Sequence, residues 1–467
     1  MQYKKMKRII IILAVLIISG GASAQHEGHD MPVKKDDAKH DGHQMHSKKD
    51  STDHRGMNHD MATMDGGEMM SHAFSRNLPM SRNGSGTGWL PDNSPMYGYM
   101  KHTAKWMYMF HGNIFLRYNS QDIGNKGSRG DSKFDAPNWF MGMGQTKVGG
   151  KGLFRFSAML SLDPLTVGGE GYPLLFQSGE TWKREPLVDR QHPHDLFSEL
   201  SVGYTHMFSR DADAFVYLGY PGEPAFGPVA FMHRPSSLYN PDAPIGHHWQ
   251  DATHITFGVA TLGFRYKNFK LEGSSFTGRE PNEERYGFDM PRFDSWSARL
   301  SYNPSPAWAL QASKAWVKDV HEFGPREDVD KTTVSAIHAI SLGSKSSLNS
   351  AAVWGYNSPQ GHHPSSHSFL VESALRMNAT TVFGKYEWVE KSTEDLLLNE
   401  AIFGHESLFK VNAITLGLQQ KLLKTLNTNL ALGVQGSLYI SPDELEEVYG
   451  KTPMALEVYL RIYPGIM

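Results

Sequence analysis

From Trp106 onward the chain alternates. Trp106, Tyr108, Phe110, Ile114, Leu116 and Tyr118 fall on one face, and Met107, Met109, His111, Asn113 and Arg117 on the other. That period of two belongs to a β-strand. Residues 153–163 repeat it, with Phe154, Phe156, Ala158, Leu160 and Leu162 set against Arg155, Ser157, Met159, Ser161 and Asp163. A charge inside an apolar run fits a wall whose other side faces an aqueous lumen, and is costly against lipid. The pattern recurs to residues 454–463 and predicts about sixteen strands, with fourteen also admissible. The connections alternate between tight turns, such as Gly149-Gly150-Lys151 and Lys267-Asn268, and long segments, notably 164–195 and 221–253. Short turns at one end and long loops at the other predict an all-β fold, a transmembrane antiparallel β-barrel with both termini on the periplasmic side. The closing strand alternates Leu456, Val458, Leu460 and Ile462 with Glu457, Tyr459, Arg461 and Tyr463, although the chain ends Pro464-Gly465-Ile466-Met467 rather than on an aromatic.

The N-terminal region is built differently. Lys4, Lys5, Lys7 and Arg8 precede an apolar run from Ile9 to Ile18, and Ala22-Ser23-Ala24 follows. The run is too short to span a bilayer and reads as a signal peptide over 1–24. Residues 25–72 are rich in His and Met and nearly free of branched aliphatics, so they predict a disordered tail. Residues 73–105 read as a linker, most flexible at Gly84-Ser85-Gly86-Thr87-Gly88. The barrel proper is expected over 106–467.

Composition narrows the chemistry. There is no cysteine, which suits an oxidising compartment. The formal net charge of −3 gives no argument for nucleic acid. In the tail, His26, His29, Met31, His40, His43, Met45, His46, His54, Met57, His59 and Met61 are candidate metal ligands. Thioether suits Cu(I) or Ag(I), and imidazole suits Cu(II), Zn or Ni. The mixture therefore points to copper or silver ahead of zinc or nickel. Within the barrel, His192, His194, Asp195, His233, His247, His248, Asp251 and His254 stand in the long connections, and His321, His362, His363, His367 and His405 lie farther on. On this topology the first eight can converge at one end of the lumen, with the composition of a transition-metal site. The alternative is a hydrogen-bonded plug with no ligand. HExxH, GxSxG and P-loop motifs are lacking. A Ser/His pair would have to come from Ser198 or Ser201 near His194.

Asp189-Arg190-Gln191-His192-Pro193-His194-Asp195, Pro221-Gly222-Glu223-Pro224-Ala225, Phe231-Met232-His233-Arg234-Pro235 and Gly246-His247-His248-Trp249-Gln250-Asp251 resemble segments of a bacterial outer-membrane β-barrel family. That family is uncharacterised in mechanism and often encoded near heavy-metal resistance genes. The resemblance runs from about residue 95 onward and carries no fixed residue roles. In layout the chain is also similar to copper resistance protein B, a barrel with a Met/His-rich tail. These resemblances imply outer-membrane lipid, metal ions and periplasmic metal-efflux components as partners. Two functions follow as expectations. One is a barrel that sequesters or transports copper or silver. The other is a general or substrate-specific porin whose loop histidines form a plug, and a hydrolase is a distant third.

Overall fold

The computed structural model describes residues 71–124, 127–320, 327–361 and 363–467. The expected signal peptide and nearly all of the His/Met-rich tail lie outside these residues, as do His321 and His362.

Sixteen antiparallel staves close into a barrel. They are β1 (Met107–Gln121), β2 (Asn138–Val148), β3 (Gly152–Leu160), β4 (Phe197–Met207), β5 (Ala212–Gly219), β6 (Val259–Tyr266), β7 (Phe269–Phe276) and β8 (Ser295–Ser305). They continue as β9 (Trp308–Val317), β10 (Val329–Ser341), β11 (Ser346–Pro359), β12 (Ser366–Met377), β13 (Thr380–Ser392), β14 (Leu408–Thr425), β15 (Thr428–Ile440) and β16 (Met454–Pro464). β16 pairs with β1 through Leu456↔Ser120 to Ile462↔Ile114, which seals the cylinder and leaves no open edge.

Alternation fixes what each face does. Leu262 is 67% exposed and Leu416 68%. In water each such side chain would forgo about 1.5–3 kcal/mol of burial, so the outward belt matches lipid. Inward stand Arg117, Arg155, Glu199, Lys270, Glu272, Arg299, Glu372 and Glu457, all buried. They are buried because the lumen is filled.

Two inserts do the filling. Residues 73–105 are expected to be a flexible linker, yet residues 71–98 are packed against the inner wall from the short-turn end and Tyr99–His102 pairs with β1. Phe74, Trp89 and Leu90 are buried there. Ser75 Oγ donates to Asp213 Oδ2 on β5 at 2.5 Å, and Arg299 on β8 donates to Thr87 Oγ1 at 2.7 Å. Gly84 and Gly88 sit so close to Val229 of the second insert that a Cβ at either would overlap it. The glycines therefore serve close packing, which composition alone does not distinguish from flexibility. His72, assigned to the tail, is buried too.

The second insert is the β5–β6 connection, residues 220–258. Arg117 on β1 holds Asp242 at 2.6 Å, and Arg234 holds Glu372 on β12 at 2.7 Å. Trp249 Nε1 donates to Ser366 Oγ at 2.8 Å. Alternation in the sequence extends back to His254 and predicts a strand over 254–266. Instead, Ala252–His254 is a 3-10 turn of this plug, and β6 begins at Val259. The β3–β4 connection adds a hairpin, Tyr172–Trp182 with Glu185–Gln191, whose Leu174, Leu175 and Phe176 are buried among the long connections.

Candidate metal centre in the plug

Two local structures deliver the imidazoles. Gln191 ends the hairpin, and Pro193 has no N–H with which to extend its pairing. The chain there is extended, so His192 and His194 project as an i, i+2 pair. Opposite them, His247–Gln250 forms a single helical turn. It sets His247 and Asp251 four residues apart on one face. The following 3-10 turn presents His254.

Five rings meet. Centroids lie 6.0 Å apart for His192 and His247, 5.7 Å for His192 and His248, and 5.1 Å for both His247–His248 and His247–His254. His194 is 5.7 Å from His254. His192, His247 and His248 each offer a ring nitrogen within 4.8 Å of the other two. Metal–imidazole bonds of about 2.0–2.1 Å need this order of approach.

Hydrogen bonding is one-sided. His247 Nδ1 faces Asp251 Oδ1 at 2.5 Å, His248 Nδ1 faces Glu280 Oε1 at 2.9 Å, and His194 Nδ1 faces Asp163 Oδ2 at 2.9 Å. His192 Nδ1 lies 3.1 Å from Glu180 Oε1, and His254 Nδ1 bonds the Asp251 carbonyl at 2.7 Å. The Nε2 atoms of His192, His194, His248 and His254 are buried without a hydrogen-bond partner. A carboxylate or carbonyl on Nδ1 fixes the tautomer that leaves Nε2 as a lone-pair donor, the arrangement found around metal-bound imidazoles. Two of these orphaned nitrogens, on His192 and His248, belong to the triad whose donors lie within 4.8 Å of one another, and leaving them unoccupied is costly. Burial lowers the basicity of His192, His248 and His254, the last to about 3, so these rings are neutral at pH 7, which is the ligating form. Burial works against the Asp251 carboxylate, yet His247 and Arg234 hold it well below its ordinary range.

The remaining expected residues divide. Asp251 orients His247 and also accepts from Arg234 at 3.0 Å. Asp195 is not in the cluster: it pairs with Arg285 at 3.5 Å, and burial pushes its carboxyl up to about 6. His233 stands apart, 4.7 Å from Trp139 and 5.8 Å from His111. Ser198 donates to the Asp195 carbonyl and Ser201 to Glu199, so neither forms the serine–imidazole pair that hydrolysis would require. His363 bonds Glu327 and Glu394 at 2.7 and 2.8 Å, and His405 bonds Glu400. His367 packs on Tyr356. The orienting carboxylates Asp163, Glu180 and Glu280 were not singled out in the sequence, because only the folded loops bring them to the rings.

A cavity of about 200 Å³ lies among the long connections and reaches His248 and Glu280 past Glu327, Glu394 and Asp395. Its lining carries Glu180, Glu280, Glu327, Glu394 and Asp395 against Lys331 and His363, a net acidic surface beside His248. Gly179 also borders it. Its φ is +118°, and a Cβ there would overlap the His248 ring. Gly179→Ala is expected to displace that ring and cost about 1–3 kcal/mol through overpacking. Urea unfolding of the refolded barrel measures this, and an unchanged midpoint would show that His248 has room to move.

No family model and no curated relative matches the chain. The four motifs remain a resemblance to the heavy-metal resistance family. Solved structures do match. The anion-selective porin of Comamonas acidovorans is 13% identical with a TM-score of 0.48, the match covering 77% of this chain and 100% of the porin. Salmonella typhi OmpF, solved with daunomycin, is 10% identical with a TM-score of 0.48, over 78% of this chain and 100% of its own. Vibrio cholerae OmpT, folded in vitro, is 8% identical with a TM-score of 0.46, over 78% and 99%. The chain is an outer-membrane β-barrel. Its closed wall and apolar belt place it against membrane lipid. The matched structures are similar in fold only.

Proposed function

We propose that this outer-membrane barrel handles transition-metal ions and holds one in its plug. The observation that carries the reading is the triad His192, His247 and His248, whose ring nitrogens lie within 4.8 Å of one another, with the Nε2 atoms of His192 and His248 buried and unpartnered. The donor set is imidazole with carboxylates behind it, which suits Cu(II), Zn(II) or Ni(II). The His/Met-rich tail of the sequence would capture copper or silver ions in the periplasm. Sequestration, resistance or transport would follow from the two stations together.

A pore is the second reading. Sixteen staves are enough to leave an aqueous channel when the lumen is not filled, and the plug would then set its selectivity. One experiment separates the two. The full chain, refolded in detergent, is titrated with Zn(II) by calorimetry, beside His192→Ala/His248→Ala. The tail histidines are present in parent and variant alike, so the difference between the two isotherms reports the plug. The metal reading expects a tight site in the parent that the double variant lacks. Identical isotherms, with open-channel conductance of the parent in planar bilayers, would leave the pore.

A further inference from the structure

The register of β1 and β2 gathers sulfur. Met109 stands opposite Met143, and His111 opposite Met141. The short strand Tyr99–His102 sets Met100 opposite Met109, and β3 sets Met159 opposite Met141. Directly opposed residues share a face of the sheet. Met100, Met109 and Met143 therefore form one row, and His111, Met141 and Met159 the next. The inserts complete the enclosure. Met80 comes from the turn Met80–Arg82, Met96 from the end of the first insert, and His233 from the second.

A cavity of about 90 Å³ is lined by Met80, Met96, Met109, Met141, Met143, His111 and His233, with Arg461 also on its wall. The size admits a single ion with a water or two. Met80, Met109 and Met141 are buried. His111 Nε2 is buried without a hydrogen-bond partner. Methionine fills irregular gaps in ordinary cores. A core built for packing alone draws chiefly on Leu, Ile, Val and Phe, and would not need an imidazole with an orphaned nitrogen beside a void. No methionine lines the cavity that reaches His248. The two sites therefore differ in softness, one suited to borderline divalent ions and this one to soft monovalent ions.

We infer that this methionine-lined cavity is a binding site for a soft monovalent cation, Ag(I) or Cu(I), held by thioethers of Met109, Met141 and Met143 with His111. The assignment stands whether or not the plug imidazoles bind metal. Near neutral pH no proton competes for a thioether, and no electron transfer is required.

The test is Ag(I), which needs no reductant, added to the full chain in detergent with methionine methyl groups labelled with ¹³C. Methyl resonances of the cavity are assigned by single Met→Leu changes, which nearly conserve volume. Ag(I) is expected to shift the methyls of Met109, Met141 and Met143 as a set that saturates together. In Met109→Leu/Met143→Leu, the Met141 shift at the same Ag(I) concentration is expected to disappear. Heat-modifiable migration in SDS checks that the variant is folded, and Met141→Leu read at Met109 replaces it if it is not. Cavity methyls that stay put while tail methyls saturate would overturn the site and show a packing cluster. Zn(II) binding at the imidazoles is measured on the same sample, so either site can fail alone.

Discussion

Arg117→Met is expected to destabilise the barrel by about 3–5 kcal/mol and to loosen its plug. Arg117 is fully buried and holds three carboxylates, Asp135 at 2.7 Å, Asp242 at 2.6 Å and Glu457 at 3.0 Å. Its ring neighbour is Tyr172, whose centroid lies 4.0 Å from the guanidinium carbon. Methionine keeps much of the volume but none of the charge, so the carboxylates are left to repel one another in a dry interior. Replacing a buried ion pair by apolar groups can be neutral, whereas removing one partner is costly because the other charge stays behind. Adding Glu457→Gln should therefore recover part of the loss, and the coupling between the two changes measures the repulsion. Asp242 belongs to the second insert, while Asp135 and Glu457 belong to the wall or its extension. The same substitution is thus expected to raise ion conductance in planar bilayers. Unfolding at the parental urea midpoint with unchanged conductance would mean that the plug is held by its other anchors, Arg234–Glu372 and Trp249–Ser366.

The wall was legible in the sequence because its physics is local. In β1 the alternation from Met107 to Arg117 already separated the lumen face from the lipid face, and Arg117 marked the inner side. Turn lengths then separated the two ends of the barrel. What fills the lumen was less legible. Residues 73–98 look like a linker by composition, but a wall of inward polar side chains offers their backbone as many partners as water does. The hairpin at 172–191 escaped notice because Leu174, Leu175 and Phe176 are buried in succession, which breaks the period of two. The convergence of His192 and His194 with His247, His248 and His254 could be anticipated, since their loops had to share one end of the barrel. The partition of Asp195 and His233 away from that cluster could not, because it depends on Arg285 and Trp139, far away in sequence. The methionine rows depend on strand register, which a single strand does not encode.

Asp251→Asn is expected to lower the affinity of the plug for Zn(II) by about 10–100-fold, the range seen when a group behind a metal ligand is lost. Asp251 performs two tasks with its two oxygens. Oδ1 accepts from His247 Nδ1 at 2.5 Å, and Oδ2 accepts from the Phe231 N–H at 2.9 Å and from Arg234 at 3.0 Å. The carboxylate can only accept, so the His247 proton is fixed on Nδ1 and Nε2 keeps its lone pair for the ion. Asparagine is isosteric but ambivalent. With its oxygen toward Arg234 and Phe231, which both donate, its NH₂ is turned toward His247. That orientation favours the tautomer with the proton on Nε2, and the lone pair for the metal is gone. The substitution also removes the charge that Arg234 shares between Asp251 and Glu372, so some loss of stability accompanies it. Arg234→Leu separates the two effects, because it removes that ion pair and leaves the Asp251–His247 bond in place. If calorimetry finds that Asp251→Asn weakens Zn(II) binding no more than Arg234→Leu does, the carboxylate is an anchor of the plug and has no part in setting the imidazole for a metal.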